Sequence, residues 1–222
     1  MNQFVIIVAG GSGSRMGSDT PKQFLPIGGL PILMHTIRRF RAYAAELSIV
    51  LVLPPAQIPV WERLCGQYGF QEPVRVTPGG ATRFQSVQNG LAQITAPEGL
   101  VAVHDGVRPF VTAALIRRGF DTAAATGSAV ACVGLKDSAR RVWPDGRSEA
   151  VDRTAYRLIQ TPQTFRLSVF RTAFQTPEQP FFTDCASVVE HAGFGITLID
   201  GAYENIKITT PEDLVWAESF LA

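Results

Sequence analysis

The sequence has few cysteines and no pattern among them. Its three cysteines, Cys65, Cys132 and Cys185, lie far apart, and no two have the Cys-x-x-Cys spacing of a metal or redox site. An odd, scattered set excludes a disulfide-stapled scaffold and a structural zinc site. We therefore predict reduced, mostly buried thiols and a cytoplasmic location.

Excess charge and long apolar runs are also missing. The chain has 20 basic and 19 acidic residues, a formal net charge of +1, so we expect no nucleic-acid partner. Its apolar runs fall short of the ~20 residues that cross a bilayer. The N-terminus lacks the basic stretch of a signal peptide, so we expect no membrane association. What is present is a hydrophobic fraction of 46% in 222 residues, enough to fill the core of one domain over 1–222.

Short apolar runs recur along the chain, separated by stretches with helical spacing. The runs show no polar alternation, which is typical of strands covered on both faces of a parallel sheet. They lie at 4–9, 49–53, 74–77, 100–104, 129–133 and 195–199. The helical stretches lie at 32–43, 58–68, 82–94 and 112–125. This alternation predicts an α/β fold with a doubly wound, mostly parallel, Rossmann-like sheet.

One segment, 136–165, interrupts the alternation. It shows little helical spacing and many charges, and Pro144, Asp145 and Gly146 form a turn signal between short polar flanks. The pattern predicts a hairpin-like β-arm that protrudes from the main domain. Because an isolated two-stranded hairpin is only marginally stable in water, we expect the arm to pack on a second subunit.

A glycine-rich loop, AGGSGSRMG at 9–17, follows the first predicted strand, and PKQ follows at 21–23. Ligands of open α/β sheets bind beyond the carboxyl ends of strands, and glycines let backbone N–H groups approach phosphate oxygens. The spacing matches neither a dinucleotide fingerprint nor a P-loop. The loop instead supplies two cations, Arg15 and Lys22. Such cations are needed because the N-terminus of a helix offers only about half a positive charge, too little to neutralise a nucleoside triphosphate. The alternative is a flexible turn with two solvated cations.

This loop resembles the signature of nucleotidyltransferases that make CDP-linked sugar alcohols. It is most similar to the 2-C-methyl-D-erythritol 4-phosphate cytidylyltransferase family of the non-mevalonate isoprenoid pathway. The resemblance implies a Mg²⁺-dependent transfer of CMP from CTP to a polyol phosphate, in a homodimer with shared active sites. The nucleotide-binding loop residues that it implies are Ala9, Gly10, Gly11 and Gly13.

Two further motifs match the family. GGATRFQSV at 79–87 is by itself an ordinary turn before a helix, with Thr82 as the N-cap. By resemblance, Gly80 and Ser86 in this stretch contact the nucleotide. The second motif is HDGVRP at 104–109.

In HDGVRP, Asp105 and Arg108 could form a surface ion pair that contributes little to stability. Their position at the edge that carries the glycine loop instead favours a site. The resemblance implies that Asp105 contacts both the nucleotide and the acceptor and that Arg108 binds the acceptor. Asp105 is also a candidate Mg²⁺ ligand, a weak one because the CTP phosphates would hold most of the metal. We expect His104 to be a packed core histidine.

The remaining acceptor-binding residues are assigned through the resemblance, which places Arg153 across a dimer interface. Thr183 by itself would be a helix N-cap. Lys207 lies in an otherwise apolar predicted strand, where a buried lysine is costly without an anion. These acceptor-binding residues are Ser138, Arg153, Thr161, Thr183 and Lys207.

The implied reaction is an attack by an acceptor phosphate oxygen on the α-phosphorus of CTP, with release of pyrophosphate. Because the nucleophile is already an anion, no general base is needed, and catalysis consists of holding two anions in line and stabilising charge. Arg15 and Lys22 would stabilise the transition state, and Arg153 and Lys207 would place the acceptor phosphate.

Some positions depart from the family pattern. Gly10, Gly106, Val107 and Cys185, the last in place of an acid, resemble ribitol 5-phosphate cytidylyltransferases. Ribitol 5-phosphate is therefore the alternative acceptor, although VDR at 151–153 favours methylerythritol phosphate. A GTP-using nucleotidyltransferase with a similar glycine loop would not explain the arm. A non-catalytic nucleotide-binding regulator would not need all four cations proposed for the reaction, which are Arg15, Lys22, Arg153 and Lys207.

Overall fold

The computed structural model describes residues 1–11 and 20–221. Its centre is a sheet of seven strands in the order β11-β7-β10-β6-β1-β4-β5. These strands are β1 Gln3–Val8, β4 Ser48–Leu53, β5 Arg75–Pro78, β6 Leu100–Asp105, β7 Ser128–Gly134, β10 Arg157–Arg166 and β11 Leu198–Asp200. Every pairing is parallel except those of β10, which runs antiparallel to both β6 and β7. The predicted α/β fold with a mostly parallel sheet is confirmed.

Helices cover both faces of the sheet. They are α1 Ile32–Tyr43, α2 Ile58–Tyr68, α3 Arg83–Ala92, α4 Ala113–Thr126, α5 Leu167–Ala173, α6 Cys185–His191 and α7 Pro211–Leu221. Neighbouring residues of β1 enter different cores, since Val5 and Ile7 pack with α1 and α4 whereas Ile6 packs with α3, α5 and α6. Burial on both faces is the reason that the strand sequences are continuously apolar.

Two small antiparallel sheets stand apart from the central one. β2 Pro26–Ile27 pairs with β3 Leu30–Pro31 beside the cleft described below. β8 Arg140–Val142 pairs with β9 Ser148–Ala150, and all six residues are exposed. The turn between them closes with Gly146 at a φ of 84° and its N–H donated to Trp143 O at 2.9 Å. The hairpin predicted around this turn is therefore present.

The predicted extent of the arm, 136–165, is wrong at its C-terminal end. Residues Arg157–Arg166 form β10 in the middle of the central sheet. This strand escaped the sequence analysis because its buried half is polar. Gln160, Thr161, Gln163 and Thr164 are all nearly inaccessible, so the strand has no apolar run.

The fold bears on two smaller expectations, the state of the cysteines and the surroundings of Lys207. The three cysteines are free thiols, with Cys132 and Cys185 buried and Cys65 half-buried, as predicted. Lys207 was expected in a strand, but residues 206–209 have no regular secondary structure. In the part of the chain that the structure describes, every helix is too short or too polar to span a bilayer.

Candidate active site

A cleft lies beyond the carboxyl ends of β1, β4, β5 and β6, where an open α/β sheet binds ligands. Its walls are 8–11, 52–54 and 79–83, together with Lys22, Ser86, Asp105 and Lys207. The parallel register of the four strands brings these segments to one edge. Six predicted nucleotide-binding residues line it: Ala9, Gly10, Gly11, Gly80, Ser86 and Asp105. Gly13 and Arg15 lie outside the described residues.

Lys22 lies against the described part of the glycine loop. It begins a short 3₁₀ helix, Lys22–Phe24, and only 7% of the residue is exposed. A Cβ added to Gly11 would lie 3.1 Å from Cε of Lys22, so the loop and the lysine side chain pack closely. Gln23 is fully buried and donates to Ala9 O at 2.8 Å. The Gln23 hydrogen bond therefore ties the segment that carries Lys22 to the glycine-rich loop.

The second glycine turn is closed by Ser86. Gly80 N–H donates to Ser86 Oγ at 3.1 Å, and Ser86 Oγ donates to Thr82 O at 2.8 Å. Thr82 caps α3 by accepting from Gln85 N, as predicted. A Cβ on Gly80 would overlap the Gln85 side chain, which makes glycine necessary here. Ser86 therefore both lines the cleft and shapes this turn.

Asp105 ends β6, and its carboxylate is buried among three cations. Lys207 Nζ and Arg108 Nε each lie 3.2 Å from Oδ2, and Arg83 Nη2 lies 3.9 Å from Oδ1. Burial alone would raise the pKa of this carboxyl, but Lys207, Arg83 and Arg108 together hold it well below its usual range. Asp105 is therefore ionised at neutral pH.

These cations bear on the predicted metal role of Asp105. Both carboxylate oxygens already face basic groups, and a magnesium ion there would be repelled by Lys207, Arg83 and Arg108. Among the described residues, moreover, no group of three or more His, Cys, Asp or Glu side chains could hold a metal ion. The protein side chains of the described site therefore do not fit a directly bound magnesium ion.

Thr161 and Arg108 lie directly behind Asp105. Thr161 Oγ1 accepts from Asp105 N at 3.0 Å and lies 3.1 Å from His104 Nδ1. Arg108 is 8% exposed and also donates to Asn205 O at 2.8 Å. The structure thus joins the predicted residues Asp105, Arg108, Thr161 and Lys207 in one cluster.

Three predicted acceptor residues are not part of this cluster within one chain. Arg153 is an exposed residue of the arm and donates to Lys136 O at 2.6 Å. Ser138 and Thr183 are exposed and do not line the cleft. The prediction that Thr183 caps α6 is wrong, because Asp184 is the N-cap and accepts from Ser187 N at 2.8 Å.

The sequence analysis missed several buried polar residues that support the site. Gln163 accepts from the N–H groups of Cys185 and Ala186 and donates to Asp184, which fixes the start of α6 beside Thr183. Asn205 donates to Thr161 O at 2.8 Å and so holds the segment that carries Lys207. The signal available in the sequence was a set of polar residues that do not have the pattern typical of a loop. Buried polar groups need partners, so such residues mark a network.

Removal of the Asp105 charge is expected to destabilise the fold. At pH 7, Asp105→Asn should lower the free energy of unfolding by on the order of 3 kcal/mol, because three cations would remain close together without their anion. The folded pKa is depressed, so this contribution is present above the unfolded pKa of about 3.9 and is lost as the pH falls below it. Urea unfolding at pH 7 and at lower pH measures both effects.

Asp145→Asn is the matched control for this charge removal. Asp145 pairs with Arg147 at 2.6 Å, but both side chains are exposed. Its removal should leave the unfolding midpoint nearly unchanged. Equal midpoints for wild type and Asp105→Asn at pH 7 would contradict the structural role of Asp105.

Comparison with known proteins identifies relatives along the whole chain. The family model for 2-C-methyl-D-erythritol 4-phosphate cytidylyltransferase matches residues 3–222. The chain is 53% identical over 214 residues to the protein of that name from Bacteroides thetaiotaomicron, covering 96% of this chain and 97% of the relative. It is 49% identical over 221 residues to that of Porphyromonas gingivalis, with 99% and 97% covered.

Solved structures show the same relationship. The 2-C-methyl-D-erythritol 4-phosphate cytidylyltransferase of Thermus thermophilus is 32% identical, with a TM-score of 0.77 and 99% of this chain and 98% of that chain covered. The 4-diphosphocytidyl-2C-methyl-D-erythritol synthase of Anaerococcus prevotii is 25% identical, with a TM-score of 0.83 and the same coverage. Sequence and fold agree over nearly the full length. The chain therefore belongs to the 2-C-methyl-D-erythritol 4-phosphate cytidylyltransferase family.

Proposed function

We propose that this chain transfers CMP from CTP to 2-C-methyl-D-erythritol 4-phosphate and releases pyrophosphate. The observation that carries the proposal is the cleft at the strand ends, where the glycine-rich loop and the turn at 79–80 meet several basic side chains. Lys22 lines this cleft, and Arg83, Arg108 and Lys207 surround the single carboxylate of Asp105. Such a site suits two anionic substrates, and membership of the family supports the choice of both.

The proposed chemistry needs positioning and charge more than proton transfer. An acceptor phosphate oxygen attacks the α-phosphorus of CTP, the new P–O bond forms, and the bond to pyrophosphate breaks. Because the nucleophile is an anion, no base has to remove a proton. Lys22, with Arg15 from the same loop, would stabilise charge on the phosphoryl oxygens. Lys207 would place the acceptor phosphate, because its ammonium group has three N–H donors and can bind phosphate while it contacts Asp105.

We propose that the second acceptor cation, Arg153, acts in the neighbouring subunit of a homodimer. Within one chain Arg153 is exposed beside an exposed hairpin. Large apolar side chains of the hairpin and of the segment after Arg153 are also exposed, with Val142 at 68%, Tyr156 at 50% and Leu158 at 55%. A second copy of the chain would bury this surface and bring Arg153 to a cleft. The arm would then serve both assembly and catalysis.

The proposed reaction uses magnesium held by the substrate. Bound to the triphosphate, Mg²⁺ would neutralise charge and help pyrophosphate to leave. This agrees with the basic surroundings of Asp105, which disfavour a metal bound to the protein alone. We also propose a cytoplasmic location, in keeping with three free thiols.

The ribitol phosphate alternative finds no support among the relatives, which carry the methylerythritol phosphate name. One of the departures that suggested it has a packing explanation. A Cβ on Gly106 would lie 2.8 Å from Cβ of Ala9 and 3.0 Å from Cδ1 of Leu33. Gly106 therefore has a packing reason in this chain that does not involve the acceptor.

A substrate panel tests the proposal directly. Pyrophosphate release is measured with each of the four nucleoside triphosphates, with 2-C-methyl-D-erythritol 4-phosphate or ribitol 5-phosphate as acceptor, and with Mg²⁺ or excess EDTA. We expect turnover with CTP, the methylerythritol acceptor and Mg²⁺, and background rates in EDTA. Equal turnover of GTP and CTP, preference for ribitol 5-phosphate, or full activity in EDTA would contradict the corresponding part of the proposal.

A further inference from the structure

We propose that His104 is a positioning residue for the proposed transfer. Together with Thr161, its neutral imidazole clamps both ends of the turn from Asp105 to Arg108. This inference rests on the proposed function and adds a role for a buried histidine and a different role for Thr161.

The donors and acceptors around His104 permit one neutral arrangement. Arg108 O can only accept, so His104 Nε2, at 3.1 Å, must carry the ring proton. Thr161 Oγ1 accepts from Asp105 N–H, and its own proton is then available to His104 Nδ1. Nδ1 is an acceptor in this Nε2–H form. Asp105 N–H, the Thr161 hydroxyl, His104 and Arg108 O thus form one continuous chain of hydrogen bonds.

Protonation of His104 would reverse the bond between Nδ1 and Thr161 Oγ1 and leave the Thr161 hydroxyl proton without its acceptor. An imidazolium has donors at both nitrogens, so the Thr161 hydroxyl could no longer donate to Nδ1. The ring is fully buried with its edge against Phe40 of α1, at 4.9 Å between ring centroids. The charged groups that act on it are Asp105, which favours protonation, and Arg108, which opposes it. Burial has the largest effect and lowers the pKa of His104 to about 4, so the clamp is intact at neutral pH.

The clamped turn carries the charges of the site. Arg108 N–H donates to Asp105 O at 3.1 Å, and Thr36 Oγ1 donates to Gly106 O at 3.0 Å. Displacement of the turn would therefore move the Asp105 carboxylate and, through it, Lys207 Nζ. Thr161 is 4% exposed, and its hydroxyl accepts from Asp105 N and donates to His104 Nδ1. It therefore acts through Asp105, whereas the family resemblance implies a contact with the acceptor.

Matched variants distinguish the two roles of Thr161. Thr161→Val removes the hydroxyl with little change of shape, Thr161→Ser keeps it, and His104→Phe removes both ring nitrogens. We expect kcat to fall on the order of 10- to 100-fold in Thr161→Val and His104→Phe, since misplaced charges cost rate. Thr161→Ser should stay within about twofold of wild type, and the double variant Thr161→Val/His104→Phe should lose little more than the worse single variant, because both break one clamp. A rise in acceptor KM for Thr161→Val with an unchanged His104→Phe would overturn the proposal.

A second measurement depends neither on turnover nor on the folding of the Thr161 and His104 variants. The chain has three histidines, so long-range ¹H–¹⁵N spectra of the wild type can be assigned with His35→Gln and His191→Gln. We expect His104 to be neutral and protonated at Nε2 at pH 7 and to remain so until the pH approaches about 4. A charged ring or an Nδ1–H form at pH 7 overturns the clamp. If the wild type transferred no CMP, the proposed function would fail in the substrate panel, whereas the spectra would still decide the state of His104.

Discussion

Lys22→Ala is expected to lower kcat on the order of 10²-fold or more, with a much smaller effect on CTP binding. Lys22 lies in the cleft beside Gly11 and is nearly buried, where a fixed cation acts more strongly than in water. A group that acts mainly on the transition state lowers kcat and kcat/KM together. Steady-state kinetics with varied CTP, together with equilibrium CTP binding, measures the two effects separately.

Two controls accompany this variant. Arg63→Ala removes an exposed cation of α2 that does not line the cleft, and it should leave kcat unchanged. Thermal unfolding of Lys22→Ala tests whether loss of the buried side chain has disturbed the fold. If a folded Lys22→Ala protein raised the KM for CTP and kept its kcat, Lys22 would be only a ground-state binder.

Mixing two inactive variants is expected to restore activity if the active site is shared between subunits. Lys22 lies in the cleft, whereas Arg153 is an exposed residue of the arm of the same chain. Lys22→Ala and Arg153→Ala homodimers should therefore each be nearly inactive, because each lacks one required cation in both sites. In a heterodimer, one site keeps both wild-type residues and the other keeps neither.

The expected recovery follows from counting sites. Complete exchange gives about half heterodimers, each with one intact site, so activity should approach about one quarter of wild type. Differently tagged subunits, recovered together on one affinity resin, report whether exchange has occurred. As a further control, wild type mixed with the Lys22→Ala/Arg153→Ala double variant should lose about half of its activity on exchange. Proven exchange without recovered activity would remove Arg153 from its assigned role.

The sequence was most informative where local chemistry alone determines structure. The bounds predicted for α1 and α2, at 32–43 and 58–68, agree with the structure because their apolar faces keep helical spacing. The buried parallel strands were found because burial on both faces demands apolar residues throughout. Glycines at 79–80 were recognised as a turn, and Thr82 as a cap, because both features depend on adjacent residues.

The sequence analysis was weakest where polar residues are buried. β10 was assigned to the arm because Gln160, Thr161 and Gln163 are polar and interrupt the apolar run expected of a buried strand. Their polar atoms are satisfied by partners on other elements, such as Ala202 and Asp184. No local pattern reveals such partners, since they are distant in sequence. For the same reason the cap of α6 was placed at Thr183 instead of Asp184, which Gln163 holds in place.

The sequence by itself determined the fold class, the glycine turns and the residue types that suit a nucleotide and a phosphate, because spacing and composition act over short distances. Only the tertiary structure decided how these residues meet. The contacts of Asp105 with Lys207 and Arg83, and of Thr161 with His104, join residues that are far apart in the chain. Strand order brings them together, and strand order follows from the packing of the whole core. The charge state of Asp105 and the tautomer of His104 follow from that packing too, because both depend on burial and on partners from other elements.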